Sequence, residues 1–203
     1  MRRAMELAAA PGAGLNAHAR RVARIAVAAA EGLDGESLRH EVELTALLHD
    51  VGKLAMPYQL LNKSGPLDEQ EWALMHTHTI EGERLCTAHG FGPRIAALVR
   101  ATHERWDGHG YPDGAAGEAV PLAARIVFCA DAFDAMTSAR PYRAALPVRV
   151  AVAELRAGAG TQFDPLVARR FASVVERLEG RFRRTVRDRD PGAAAALRSL
   201  PAG

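Results

Sequence analysis

Four histidines and two aspartates, His18, His49, His78, His103, Asp50 and Asp131, are spread along the chain, each on or beside a stretch whose apolar spacing is helical. His49 and Asp50 stand side by side in "HDVGK", where adjacent residues at a helix end can chelate one metal as the chain bends away. Alone, the pair fits a core histidine beside a capping aspartate just as well. The company of the other four changes the balance. Four imidazoles and two carboxylates converging in one bundle are costly to bury unless a cation offsets their desolvation. Neutral imidazole with carboxylate suits iron, manganese, zinc or nickel rather than calcium or magnesium. Lys53 adds a compositional clue: the chain has 26 Lys plus Arg, and of these only Lys53 and Lys63 are lysines. A compact ammonium beside a metal can neutralise a phosphate oxygen without the planar fork of arginine. The bland alternative is a surface lysine.

Helices must deliver these groups. His18, Val22, Ile25 and Ala29 fall on one stripe, and Leu38, Val42, Thr45 and His49 on another that ends at Gly52, so two histidines face inward. "LDEQEWALM" opens a helix with Asp68 as N-cap and Glu71 three residues on, a capping box. Gly92 and Pro93 precede a helix running through "RIAALVRATHERW", and Pro121 suits the first turn of "PLAARIVFCADAFDAMTSA". A Gly/Pro loop lies between them. "LPVRVAVAELRAG" and "FDPLVARRFASVVERLEG" supply two more helices, the second capped by Asp164 with Pro165 at its first position. No stretch shows the sustained alternation of a half-buried strand, so an all-α fold is expected.

A chain of 203 residues suits one domain. Its net charge of +2 is too small to imply a nucleic-acid surface by bulk electrostatics. Cys86 and Cys129 lack a CxxC spacing and read as buried free thiols in a reducing cytosol. The Ala-rich start is interrupted at Pro11, and no apolar run of about 18 residues follows, which points to a cytoplasmic leader rather than an anchor.

The segments "HARRVA", "LLHDVGK", "MHTHTIEGERL", "HERWDGHGYPDG", "ARIVFCADAFDAMTS", "RPYR" and "GTQFDP", in this order between His18 and Asp164, resemble the HD-GYP family. This is the branch of the HD phosphohydrolase superfamily that degrades the bacterial messenger cyclic di-GMP. The resemblance implies an HD-domain helical bundle with a C-terminal helical extension and a Gly-Tyr-Pro loop. It divides the chain into a flexible leader at 1–14, the domain at 15–180, and a charged, then Ala/Pro/Gly-rich tail at 181–203 that is partly disordered. One metal would be held by His18, His49, Asp50 and Asp131, and a second by the bridging Asp50 with His78 and His103. Iron or manganese comes first for such a pair, zinc or nickel next. Cations roughly 3.5 to 4 Å apart lower the pKa of a bridging water and clamp a phosphodiester for in-line attack. Asp50 and Lys53 are then the catalytic pair, with Lys53 on a phosphoryl oxygen. Arg140 and Arg143 match positions that meet the dinucleotide, the alternative being a solvated helix end. Gly110, Tyr111 and Pro112 form the signature loop, with Tyr111 beside the substrate or simply anchoring a turn. The implied partners are a cyclic dinucleotide and diguanylate cyclases of the GGDEF type or receiver domains, with no DNA and no membrane; a homodimer stays open. Nothing resembling a sensor precedes His18, so regulation is expected through a partner or a separate chain.

This chain departs from the family at Thr102, where an additional histidine ligand is typical, which predicts one tight and one weaker metal site. Gly14 offers no carboxylate for a third metal, and Ala139 replaces an aspartate in "SARPYR". A water could fill the vacated ligand position with Thr102 donating to it, or His109 could swing in. His76, His40 and His89 read as surface residues. The expected activity is hydrolysis of cyclic di-GMP to linear pGpG and onward to GMP. The alternatives are a catalytically weak regulatory module that binds nucleotide or a partner protein, and a phosphohydrolase for another nucleotide.

Overall fold

The computed structural model describes residues 15–31, 33, 35–139 and 144–189. The expected leader at 1–14, Arg140, Arg143 and the tail beyond Arg189 lie outside the described residues. Among those described there is no strand beyond one isolated bridge, between Ala159 and Phe163, so the fold is all-α.

Helix α1 (Leu15–Ala30) packs on α2 (Gly35–Leu48) through the stripes read from the sequence: Val22, Ala29, Val42 and Thr45 are buried, while Ile25 and Leu38 lie at the margin of the core. The α-helical part of α2 stops at Leu48, and a 3₁₀ turn (Val51–Ala55) follows, so His49 and Asp50 occupy the bend itself. The short α3 (Tyr58–Leu61) leads to α4 (Glu69–His76), which starts with the expected capping box: Asp68 Oδ1 accepts from Glu71 N, and Glu71 Oε2 accepts from Asp68 N. Next come α5 (His78–Ala88) and α6 (Gly92–Arg100).

The expected helix through Trp106 ends instead at Arg100, in a 3₁₀ turn over Ala101–His103. The Thr102 hydroxyl donates to the Val99 carbonyl at 2.8 Å, the acceptor that the His103 amide would use in a continuing α-helix, and Glu104 N closes the turn onto Ala101 O. The long loop after it docks on the C-terminal region: Trp106 N donates to Gln162 O, and Asp107 N to Thr161 O.

Helix α7 (Leu122–Thr137), with Pro121 as its N-cap rather than in its first turn, is apolar nearly all round and runs through the middle of the molecule, packing on α1, α2, α8 (Val148–Ala157) and α9 (Pro165–Arg189). Ile126, Val127, Cys129 and Ala130 are fully buried there, as are Leu98 and Phe171. Asp164 caps α9 as expected, Oδ1 accepting from Leu166 N and Val167 N. That helix runs on through Arg189, into the segment expected to fray. Cys86 and Cys129 are free and buried, and burial pushes both thiols up to about 12.

Candidate metal centre

Five elements deliver the six predicted groups to one place. His18 comes from α1, His49 and Asp50 from the bend after α2, His78 from the first residue of α5, His103 from the 3₁₀ turn and Asp131 from α7. The bend can reach α5 because Gly52 has no side chain: a Cβ there would stand 1.8 Å from the His78 carbonyl oxygen and 2.5 Å from Gly82 N. Gly82 is crowded in turn, its virtual Cβ lying 2.9 Å from a Val99 methyl. This contact sets Asp50 against His78.

The six residues fall into two groups of candidate ligands, His18 with His49 and Asp131, and Asp50 with His78 and His103. Asp50 lies between the two. Its Oδ2 is 3.6 Å from His49 Nε2 and 4.0 Å from His18 Nε2, and its Oδ1 is 3.5 Å from His78 Nε2 and 4.0 Å from His103 Nε2. His18 Nε2 and His49 Nε2 approach Asp131 Oδ1 at 3.1 and 3.8 Å. His49 Nε2, Asp50 Oδ1, His78 Nε2 and His103 Nε2 are buried and hydrogen-bond to no protein group. Each such orphan costs about 1–3 kcal/mol, and four aimed at one centre fit a bound cation. The donor set, imidazole nitrogen with carboxylate, suits a transition metal.

The charge states agree. Burial keeps His78 below its ordinary pKa and takes His103 down to about 3, so both are neutral imidazoles fit to ligate. Burial raises the Asp50 carboxyl, but His49, Lys53, His103 and His78 together more than reverse that and hold it well below the usual range. For Asp131 burial is likewise overcome, chiefly by its contact with His18. His18 is also burial-lowered, yet its hydrogen bonds to Asp131 and Asp134 leave it above the usual histidine value.

What orients the imidazoles was only partly visible beforehand. His49 Nδ1 meets the Ala46 carbonyl at 2.8 Å and His78 Nδ1 the Met75 carbonyl at 2.7 Å, which turns Nε2 of each toward the centre. His18 Nδ1 meets Asp134 Oδ2 at 2.8 Å, and Arg21 grips the same carboxylate with Nε at 2.7 Å and a terminal nitrogen at 3.0 Å. Asp134 and Arg21 were not among the expected site residues. Their signal is helical spacing, each lying three positions after a predicted ligand on its own helix.

Lys53 Nζ donates to Asp50 Oδ2 at 2.6 Å, at the edge of the centre. In the signature loop, Gly110 presses on the chain that carries His103: a Cβ there would lie 2.3 Å from Arg105 N and 2.6 Å from His103 O. Tyr111 stacks on His103, Tyr111 N donates to His103 O, and Pro112 follows across a cis peptide bond. Buried Glu104 accepts from Asp113 N at 2.7 Å, and Arg100 bridges Asp113 and Glu83. Thr102 is buried, and its hydroxyl donates to Val99 O at 2.8 Å. His109 stays exposed beside Asp107 rather than swinging in. His40 and His89 are exposed as read, but His76 is half-buried, stacked on Tyr111. Ala139 is exposed.

Residues 3–167 match the family model for the HD domain. The chain is 45% identical over 156 residues to the cyclic di-GMP phosphodiesterase response regulator RpfG of Xanthomonas campestris, a match covering 75% of this chain and 41% of RpfG. It is 41% identical over 120 residues to the 3'3'-cGAMP-specific phosphodiesterase 3 of Vibrio cholerae, which covers 59% of this chain and 26% of that protein. The crystal structure of a cyclic GMP-AMP specific phosphodiesterase from V. cholerae shares the fold, with a TM-score of 0.64 at 21% identity over 98% of this chain and 52% of that one. The chain thus spans about half or less of the length of these relatives.

Proposed function

The chain belongs to the HD domain family, in the branch that carries the Gly-Tyr-Pro loop, and on that premise we propose that it is a metal-dependent phosphodiesterase opening cyclic di-GMP to linear pGpG and onward to GMP. The observation that carries the reading is the pair of ligand groups around Asp50, with four buried donor atoms aimed at the same centre. His18, His49, Asp50 and Asp131 would hold one metal, and Asp50, His78 and His103 the second, with iron or manganese the metals that best suit the donors. When bound, such a pair supplies a nucleophile from water at neutral pH and neutralises phosphodiester oxygens. The protein's own groups do the rest. Lys53, tethered to Asp50, places an ammonium where a phosphoryl oxygen meets the centre. Tyr111 borders the same space, and Arg140 and Arg143 are assigned to the dinucleotide on their motif alone. Among the described residues no helix is long and apolar enough to cross a membrane, and the two free thiols support a cytoplasmic setting.

A second reading, a nucleotide-binding regulatory module with little turnover, has Thr102 in its favour, because it leaves the Asp50, His78 and His103 group without a further imidazole. One assay separates the two. The full chain, loaded with manganese or with iron under anaerobic conditions, is incubated with cyclic di-GMP, 3'3'-cGAMP and cyclic di-AMP and the products resolved by chromatography. Metal-dependent release of pGpG or GMP from cyclic di-GMP is expected. Saturable binding without product supports the module, and preferential cleavage of 3'3'-cGAMP or cyclic di-AMP reassigns the substrate.

A further inference from the structure

His103 is held differently from the other three ligand histidines. His18, His49 and His78 each have Nδ1 pinned by a hydrogen bond, whereas among the described residues no protein group hydrogen-bonds His103 Nδ1 and its ring packs against other rings. Tyr111 stacks on it nearly parallel, at 5.2 Å between centroids and 12° between planes, while His78 and Phe128 meet it edge-on at 4.9 and 6.3 Å. Tyr111 is itself backed on by His76, at 3.8 Å and 11°, and Trp72 stands tilted beside His76 at 5.6 Å. His76, Tyr111 and His103 therefore form a nearly parallel stack of three rings that ends at a candidate ligand.

A ring without an Nδ1 partner is free to rock about its χ2 torsion, and only packing fixes where its Nε2 points. We propose that Tyr111 and His76 are positioning residues, whose stack aims His103 Nε2 at Asp50 and so sets the metal affinity of the group formed by Asp50, His78 and His103. The signature tyrosine then takes, through its ring face, the role that a carboxylate or carbonyl plays for the other three imidazoles. His76 completes it from a position that the sequence alone marks as surface. With Thr102 beside it, this group has only His78 besides His103 and no third imidazole to absorb a misplaced His103, which makes the stack more consequential in this chain.

The inference rests on the two-group metal reading, and its test separates the two. Manganese(II) is titrated into the metal-free full chain, free manganese is followed by electron paramagnetic resonance, and thermal unfolding of each metal-free protein is recorded alongside. The parent is expected to bind a tighter and a weaker equivalent. His76→Ala and Tyr111→Leu should weaken the weaker one about tenfold or more and leave the tighter one within twofold. His76→Phe and Tyr111→Phe, which keep the rings, should bind like the parent. If Tyr111→Leu does not fold, the comparison of His76→Ala with His76→Phe decides. Unchanged binding of both equivalents in His76→Ala and Tyr111→Leu overturns the stacking role alone, as does equal weakening of both. A parent that binds no manganese overturns this inference and the metal reading together.

Discussion

Lys53 and Asp134 touch different ligands of the centre, Asp50 and His18, and should fail differently when altered. Lys53 Nζ meets only the Oδ2 side of Asp50 and sits at the edge of the site, so Lys53→Ala should leave metal content unchanged. A charge-assisted phosphate contact contributes roughly 1.5–3 kcal/mol, and losing it should lower kcat/KM by about one to two decades. Steady-state kinetics with parallel metal analysis checks this, and kinetics within twofold of the parent would make Lys53 a surface residue. Asp134 is nearly closed from solvent and fixes His18 while Arg21 holds it in place. Asp134→Asn should weaken metal at the His18, His49 and Asp131 group by about 10- to 100-fold, measured by competition with a chelator of known affinity. Thr102→Ala is the contrasting case: it removes one buried hydrogen bond to Val99 O and should lower stability by about 1 kcal/mol with metal content untouched, read from denaturant unfolding and elemental analysis.

The elements were legible where their signals are local. The capping box at Asp68 and Glu71 and the cap at Asp164 depend on residues within three positions of one another, and both are present. The stripes of α1 and α2 follow from periodicity alone. The break after Arg100 was not legible, because helical propensity and apolar spacing continue past it into the 3₁₀ turn at Ala101–His103. Close approach of two elements is equally silent in one dimension. Gly52 and Gly65 look alike as letters, yet a Cβ at Gly52 would overlap the His78 carbonyl while one at Gly65 meets nothing within 4 Å. Gly52→Ala should therefore cost about 1–3 kcal/mol or more and disturb the Asp50 to His78 approach, whereas Gly65→Ala should stay within about 0.5 kcal/mol. Thermal or urea unfolding of the two variants side by side checks this, and equal stabilities would remove the close packing of the bend on α5 as the device that builds the site.

Across the whole molecule, the ligand residue types were readable because each lies on a helical stripe or at a helix end, and their order along the chain resembles a known family. The groups that orient them were not, since Arg21 and Asp134 lie 113 residues apart and meet only when α1 packs on α7. His76 was misread for a similar reason: its partner Tyr111 belongs to a distant loop. The fold's contribution is to draw five separate elements to Asp50, whose two carboxylate oxygens face the two ligand groups. The metal content of anaerobically purified parent and Asp50→Ala protein, measured by elemental mass spectrometry with cyclic di-GMP turnover on the same samples, tests that most directly. The parent should carry transition metal and turn over the dinucleotide, and Asp50→Ala should lose metal from both groups and all turnover; an Asp50→Ala protein that folds and keeps the parent's metal content would contradict the account.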